Sequence, residues 1–192
     1  MKAVCILGSP RSNGNTATIL KEITNTLSGN GIDVRNYNLG EMKINYCVGC
    51  RTCETTGNCI QNDDMYRIIA DIYESDIVIM ASPSYWGDVT GQMKVFIDRC
   101  TPYGNTNPHR LPVPVGKTGV AVVIRAGQNK KENETLISTI EHFLGHLDIP
   151  LKYKFTAEGI STEQDLKNNP AILENAAVLG KQIVDDLQIN IV

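Results

Sequence analysis

A chain of 192 residues, 42% apolar and with a formal net charge of −3, has the material for one core and no basic surplus for nucleic acid. No apolar run approaches the roughly 20 residues of a membrane span, and the opening MKAVCILGSPRS lacks the apolar stretch of a signal peptide. A cytoplasmic protein that binds neither nucleic acid nor membrane is expected.

Taken in chain order, apolar runs and helical stripes alternate. Lys2–Leu7 reads as a strand buried on both faces. A helix follows from Asn15, with Ile19, Leu20, Ile23 and Leu27 on one stripe, and ends at Gly29 and Gly31. Asp33–Leu39 is a weaker strand. A cysteine-rich segment at 41–63 comes next, and then Asp63 or Asp64 starts a helix carrying Met65, Ile68, Ile69 and Ile72. Asp76–Ala81 is a third strand, followed by a loop and a helix marked by Met93, Phe96 and Ile97. Gly104–Gly116, rich in Pro, Asn and Gly, is predicted irregular. Thr118–Arg125 is a fourth strand, about Glu132 to Leu147 a fourth helix and Leu151–Phe155 a fifth strand. A last helix starts near Pro170. Five strands alternating with five helices predict a single α/β domain over 1–192, with a doubly wound parallel sheet.

Ligands of such sheets bind beyond the carboxyl ends of the strands. The loop after strand one, Gly8 to Thr16, leads into a helix N-terminus, where free N–H groups favour an anion. Ser9, Ser12, Asn13, Asn15 and Thr16 add short polar groups, and Arg11 adds a charge. The loop is neither a P-loop nor G-x-G-x-x-G, so a terminal monophosphate fits better than a dinucleotide. An ordinary polar turn is the plainer alternative. Tyr85 and Trp86, in the loop Ser82–Gly87, could edge a flat heteroaromatic ring or pack on a neighbouring subunit. After strand four, Gly127 allows close backbone approach.

Cys47, Cys50, Cys53 and Cys59 fall within thirteen residues as C-x2-C-x2-C-x5-C. Three close thiols with a fourth nearby suit the corners of an iron–sulfur cluster, and Gly49 and Gly57 let the loop turn between them. Zinc and unmetallated thiols are the rival readings; zinc more often uses two separated knuckles. Cys5 and Cys100 read as small buried hydrophobes.

The segments GSPRSNGNT at 8–16, CVGCRTCETTGNCIQNDDM at 47–65 and SPSYWGDVTGQMKVFIDR at 82–99 together resemble the iron–sulfur flavoproteins. These are a branch of the flavodoxin-like, NAD(P)H-dependent FMN reductase group. The resemblance implies a five-stranded sheet of order 2-1-3-4-5 with the cysteine loop inserted after strand two. It implies FMN, with its phosphate on the 8–16 loop (Ser9, Arg11, Ser12, Asn13, Asn15, Thr16). The ring would lie against Pro83, Ser84, Tyr85, Trp86 and Gly87 and near Ala126 and Gly127. It implies a [4Fe–4S] cluster on Cys47, Cys50, Cys53 and Cys59, and a homodimer or homotetramer. The expected function is an FMN-dependent oxidoreductase passing electrons from NAD(P)H or ferredoxin to a small acceptor. A cluster-free reductase and a flavodoxin-like carrier are the alternatives.

Overall fold

The computed structural model describes residues 1–189. Five parallel strands form one sheet: β1 (Lys2–Leu7), β2 (Asp33–Asn38), β3 (Ile77–Pro83), β4 (Thr118–Ile124) and β5 (Leu151–Ala157). Their order is β2-β1-β3-β4-β5, as expected. The helices are α1 (Asn15–Gly29), α2 (Cys53–Thr56), α3 (Met65–Glu74), α4 (Gly91–Arg99), α5 (Lys130–His146), α6 (Glu163–Lys167) and α7 (Ala171–Ile189), and a 3-10 turn spans Thr101–Tyr103.

The central strands divide their side chains between two cores with the strand period of two. Ala3, Cys5, Leu7, Ile77, Ile79, Ala81, Val120 and Val122 face α1 and α7. Val4, Ile6, Val78, Met80, Ala121 and Val123 face α3, α4 and α5. Each strand therefore reads as an unbroken apolar run rather than as an alternating one. Ile19, Ile23 and Leu27 of α1 are fully buried, each contributing about 1.5–3 kcal/mol by leaving water. The outermost strands differ. β5 buries only Tyr153, Phe155 and Ala157 on one face, and β2 buries no residue fully. Cys5 and Cys100 are buried, as predicted.

Two short helices, α2 and α6, interrupt segments expected to be loops. The signal for α6 was a Thr162-x-x-Asp165 capping box: Asp165 N–H donates to the Thr162 hydroxyl, and Thr162 N–H to the Asp165 carboxylate at 2.7 Å. The start of α3 selects between the two aspartates expected there. Asp63, not Asp64, offers a carboxylate oxygen to a first-turn N–H, that of Met65, at 3.2 Å.

Candidate functional site

The loops at the carboxyl ends of the strands are tied together before any ligand is considered. Gly8 N–H bonds Ala81 O at 2.8 Å, holding the loop after β1 against β3. The Thr90 hydroxyl donates to Gly8 O and accepts from Met93 N–H, so one side chain both anchors that loop and caps α4. Only glycine fits at position 8, because a Cβ there would come within 2.9 Å of Met93 Cβ. Ser84 N–H bonds Ile124 O at 2.7 Å, and Ile160 N–H bonds Arg125 O at 3.0 Å. Four loops therefore meet over the sheet.

Between them lies a cleft of about 180 Å³. Ser9, Arg11, Asn15 and Thr16 from the first loop, Pro83, Ser84 and Tyr85 from the second and Ala126 from the third line it. These are eight of the thirteen residues expected at the cofactor. A neighbouring cavity of about 610 Å³ brings in Ser12 and Asn13 beside Arg11 and Asn15. Trp86, Gly87 and Gly127 lie outside both linings. A Cβ on Gly127 would strike the Arg125 guanidinium at 2.4 Å, so the close approach at this glycine is made by Arg125.

The cleft is chemically suited to an anion at its β1 end. Gly14 precedes α1 without a side-chain cap, and no acid stands in the first turn. The helix thus presents bare N–H groups and the positive end of its dipole toward Ser9, Arg11 and Thr16. Ser9 is already fixed, accepting from Arg11 N–H at 3.1 Å. Asn15 spends its amide donor on Thr162 O at 3.0 Å, tying α1 to the loop after β5. That loop contributes Ile160 and Ser161 to the cleft, neither of which the sequence reading had named. A three-member link was also unforeseen: Arg125 pairs with Glu132 at 3.0 Å, and Glu132 accepts from the Ser84 hydroxyl at 3.2 Å.

Tyr85 to Asp88 forms a two-residue hairpin, with paired backbone bonds of 2.9 and 3.2 Å. Trp86 and Gly87 both have positive φ, the mirror-image turn that matches strand twist. Glycine adopts this freely; a tryptophan there is strained. The turn holds the indole wholly exposed.

The cysteine site is separate. Cys47 and Cys50 are exposed, Cys53 and Cys59 half-buried, and all four are free thiols. They line one cavity of about 30 Å³ together with Arg99. Among the described residues, no three His, Cys, Asp or Glu side chains are gathered closely enough to bind a single ion. Gly49 and Gly57 take positive φ, as the tight turns require. Gly57 also lies against the Gly104–Gly116 excursion, where a Cβ would meet His109 O at 2.2 Å. From the same excursion Asn107 donates its amide to Cys53 O at 3.0 Å and to Pro102 O at 2.9 Å. The predicted irregular stretch is thus a clamp for the cysteine segment.

At its far end the segment is held by a buried ion pair. Arg99 NH1 meets Asp63 Oδ2 at 2.6 Å, with the side chains 1% and 5% exposed. Asp63 accepts further from Asn45 N–H at 3.0 Å, and Arg99 donates to Asn45 O at 2.8 Å. Burial pushes the Asp63 carboxyl up. The Arg99 guanidinium and the N–H groups of Asn45 and Met65 outweigh it, holding the group below the usual carboxylate range. Burial pulls the Arg99 guanidinium down, but Asp63 and, beyond it, the Cys59 sulfur hold it firmly charged. The thiols differ among themselves. The backbone N–H and hydroxyl of Thr52 hold Cys50 below the usual thiol range, whereas burial pushes Cys53 up.

The description of the NADPH-dependent FMN reductase family fits residues 1–151. The chain belongs to this family. Within it, an iron–sulfur flavoprotein of Archaeoglobus fulgidus is 48% identical over 132 residues, which is 69% of this chain and 58% of that longer protein. An iron–sulfur flavoprotein of Methanocaldococcus jannaschii is 33% identical over 194 residues and covers 96% of both chains. The chain thus also belongs to the iron–sulfur flavoprotein group within that family. Among solved structures, the NAD(P)H:quinone oxidoreductase from Methanothermobacter marburgensis superposes with a TM-score of 0.72 over 95% of this chain and 96% of that one. At 16% identity that likeness concerns the fold alone. No helix among the described residues is long and apolar enough to cross a membrane.

Proposed function

We propose that this chain carries both FMN and a [4Fe–4S] cluster, and passes electrons from NAD(P)H or a ferredoxin to a small acceptor such as a quinone, an oxygen species or an electrophilic organic compound. The observation that carries the reading is the coexistence of two donor sets of different chemistry: a polar cleft at a bare helix N-terminus, and four free thiols around one separate cavity.

The residues present fit both groups. Ser9, Arg11, Ser12, Asn13, Asn15, Thr16 and the first N–H groups of α1 would take the phosphate, and Pro83, Ser84, Tyr85, Trp86, Gly87, Ala126 and Gly127 would border the ring. Cys47, Cys50, Cys53 and Cys59 would ligate the cluster. A cluster takes one thiolate at each iron, so its ligands stand wider apart than the donors of a single ion. The four thiols lie in one compact run around one cavity, whereas structural zinc more often uses two separated knuckles, which favours a cluster. FMN supplies two-electron acceptance with single-electron release, and the cluster one-electron transfer.

The protein's part is binding and access. Arg11 neutralises the phosphate rather than moving a proton. Tyr85 and Trp86 shape the entrance for the acceptor. A homodimer or homotetramer belongs to the proposal, since Tyr46, Val48 and Trp86 are exposed beside the two sites and a second copy would cover them. Both NAD(P)H and the acceptor would reach the ring through this same cleft, so NAD(P)H has to leave before the acceptor enters. Initial rates measured with NAD(P)H and a quinone both varied should give parallel double-reciprocal lines. Intersecting lines would count against the shared cleft, and the lack of any saturable turnover would leave a carrier.

A further inference from the structure

Two of the sequence segments that carry the family resemblance hold residues that no cofactor role absorbs: Asp63, near the end of 47–65, and Arg99, the last residue of 82–99 and of α4. The two meet. Arg99 is buried, and it divides its donors unevenly. NH1 and NH2 fork onto Asp63 at 2.6 and 3.2 Å, and NH1 also reaches Asn45 O. Nε is buried and, among the described residues, has no hydrogen-bond partner. A buried guanidinium N–H without an acceptor loses its hydration with nothing in return. Such a group in a native structure calls for a missing partner. The cavity that Arg99 lines is the one rimmed by all four cysteines.

We propose that Arg99 is the positioning residue of the cysteine site: its Nε–H is the donor to a cluster-ligating sulfur, that of Cys59, while Asp63 holds the guanidinium in place. This rests on the cluster reading above. Hydrogen bonds to the sulfurs are among the terms that set the potential of a cluster. The Asp63–Arg99 pair is neutral as a whole, but its positive end faces the thiols and its negative end faces away. Reduction adds negative charge to the cluster, so this arrangement favours the reduced form. Lysine cannot reproduce it, because an ammonium lacks both the fork and the Nε donor.

The test is a redox titration of the cluster in the full protein, followed by its electron paramagnetic resonance signal. Wild type is measured first. A wild-type protein that takes up no iron and sulfide ends the cluster reading and the proposal with it. With the cluster present, Arg99→Lys should keep FMN and iron, yet have its reduced-to-oxidised ratio at a fixed potential fall about tenfold, equivalent to about 59 mV for one electron. An unchanged midpoint in a loaded Arg99→Lys protein would reduce Arg99 to a structural ion pair and overturn the proposal. A variant that fails to fold is bypassed in wild type. Protein labelled with 15N in the arginine side chains should show a nitrogen coupling in pulsed spectra of the reduced cluster. Its absence would overturn the assignment while leaving the cluster itself intact.

Discussion

The cleft over the sheet and the cysteine site are built on opposite plans. The cleft is made by the regular part of the fold. Four loops leave the carboxyl ends of parallel strands and are joined largely by backbone bonds, such as Gly8 to Ala81 and Ser84 to Ile124. The cysteine site is made by irregular chain. Its loop owes its shape to side chains: Asn107 on Cys53 O, Tyr66 on Cys59 O and the Arg99–Asp63 pair on Asn45. Backbone-made sites survive loss of single side chains, because the sheet fixes them. Side-chain-made sites depend on a few contacts, and here two of the four thiols, Cys47 and Cys50, are exposed. The two should therefore respond differently to mutation.

The sharpest division comes from Cys50→Ala. Iron and sulfide should disappear while FMN content stays at the wild-type ratio, because the cleft and the cysteine cavity share no lining residue. Loss of FMN as well would mean that the sites are coupled through folding or assembly. Asp63→Ala should cost about 3–5 kcal/mol, since it leaves a buried guanidinium unpaired; urea unfolding monitored by circular dichroism reads this directly. The same carboxylate predicts the acid limb. Its folded pKa lies below its unfolded one, so its contribution is complete above about pH 4 and is lost as pH falls through the folded value. Asp63→Asn should flatten that limb.

Smaller effects are expected in the cleft. Arg11→Ala should weaken FMN by about 1.5–3 kcal/mol, the worth of one charge-assisted contact. Equilibrium titration of the apoprotein measures it, and an unchanged affinity would move the phosphate elsewhere. Thr90→Val should be milder still, destabilising by about 0.5–2 kcal/mol through the lost α4 cap, with FMN affinity nearly kept. A large loss of FMN in that variant would show that one side chain, not the sheet, sets the first loop.

The same contrast explains what was legible beforehand. The five strands could be read because apolar runs mark them, most clearly where both faces are buried, and α1, α3, α4, α5 and α7 carry apolar stripes; the strand order came from the family resemblance. Of the eight cleft residues expected, those of the first loop and Tyr85 followed from the rule that ligands sit beyond strand ends, and Pro83, Ser84 and Ala126 from the resemblance. Strand ends were less clear: β3 runs to Pro83 and β5 to Ala157, beyond the apolar stretches that announced them. What stayed hidden were long-range side-chain contacts with no periodic signature. Asn107 in a Pro- and Gly-rich stretch gave no sign of reaching Cys53, 54 positions away. Nor did Arg99, on a helix face counted as apolar, announce Asp63 or the cysteine cavity. The loop after β5 was passed over because the residues by which it reaches the cleft and α1, Ile160, Ser161 and Thr162, carry no charge and no motif. The small α6 was missed because its capping box precedes only one turn of helix.

The central claim is that one small domain holds two redox groups at two independent sites. An ultraviolet–visible spectrum of anaerobically purified protein, with FMN, iron and acid-labile sulfide assayed on the same sample, tests it most directly. Flavin bands above a broad iron–sulfur absorbance, with about four irons and four sulfides per chain, are the predicted result. Flavin alone, after reconstitution with iron and sulfide has been tried, would contradict it.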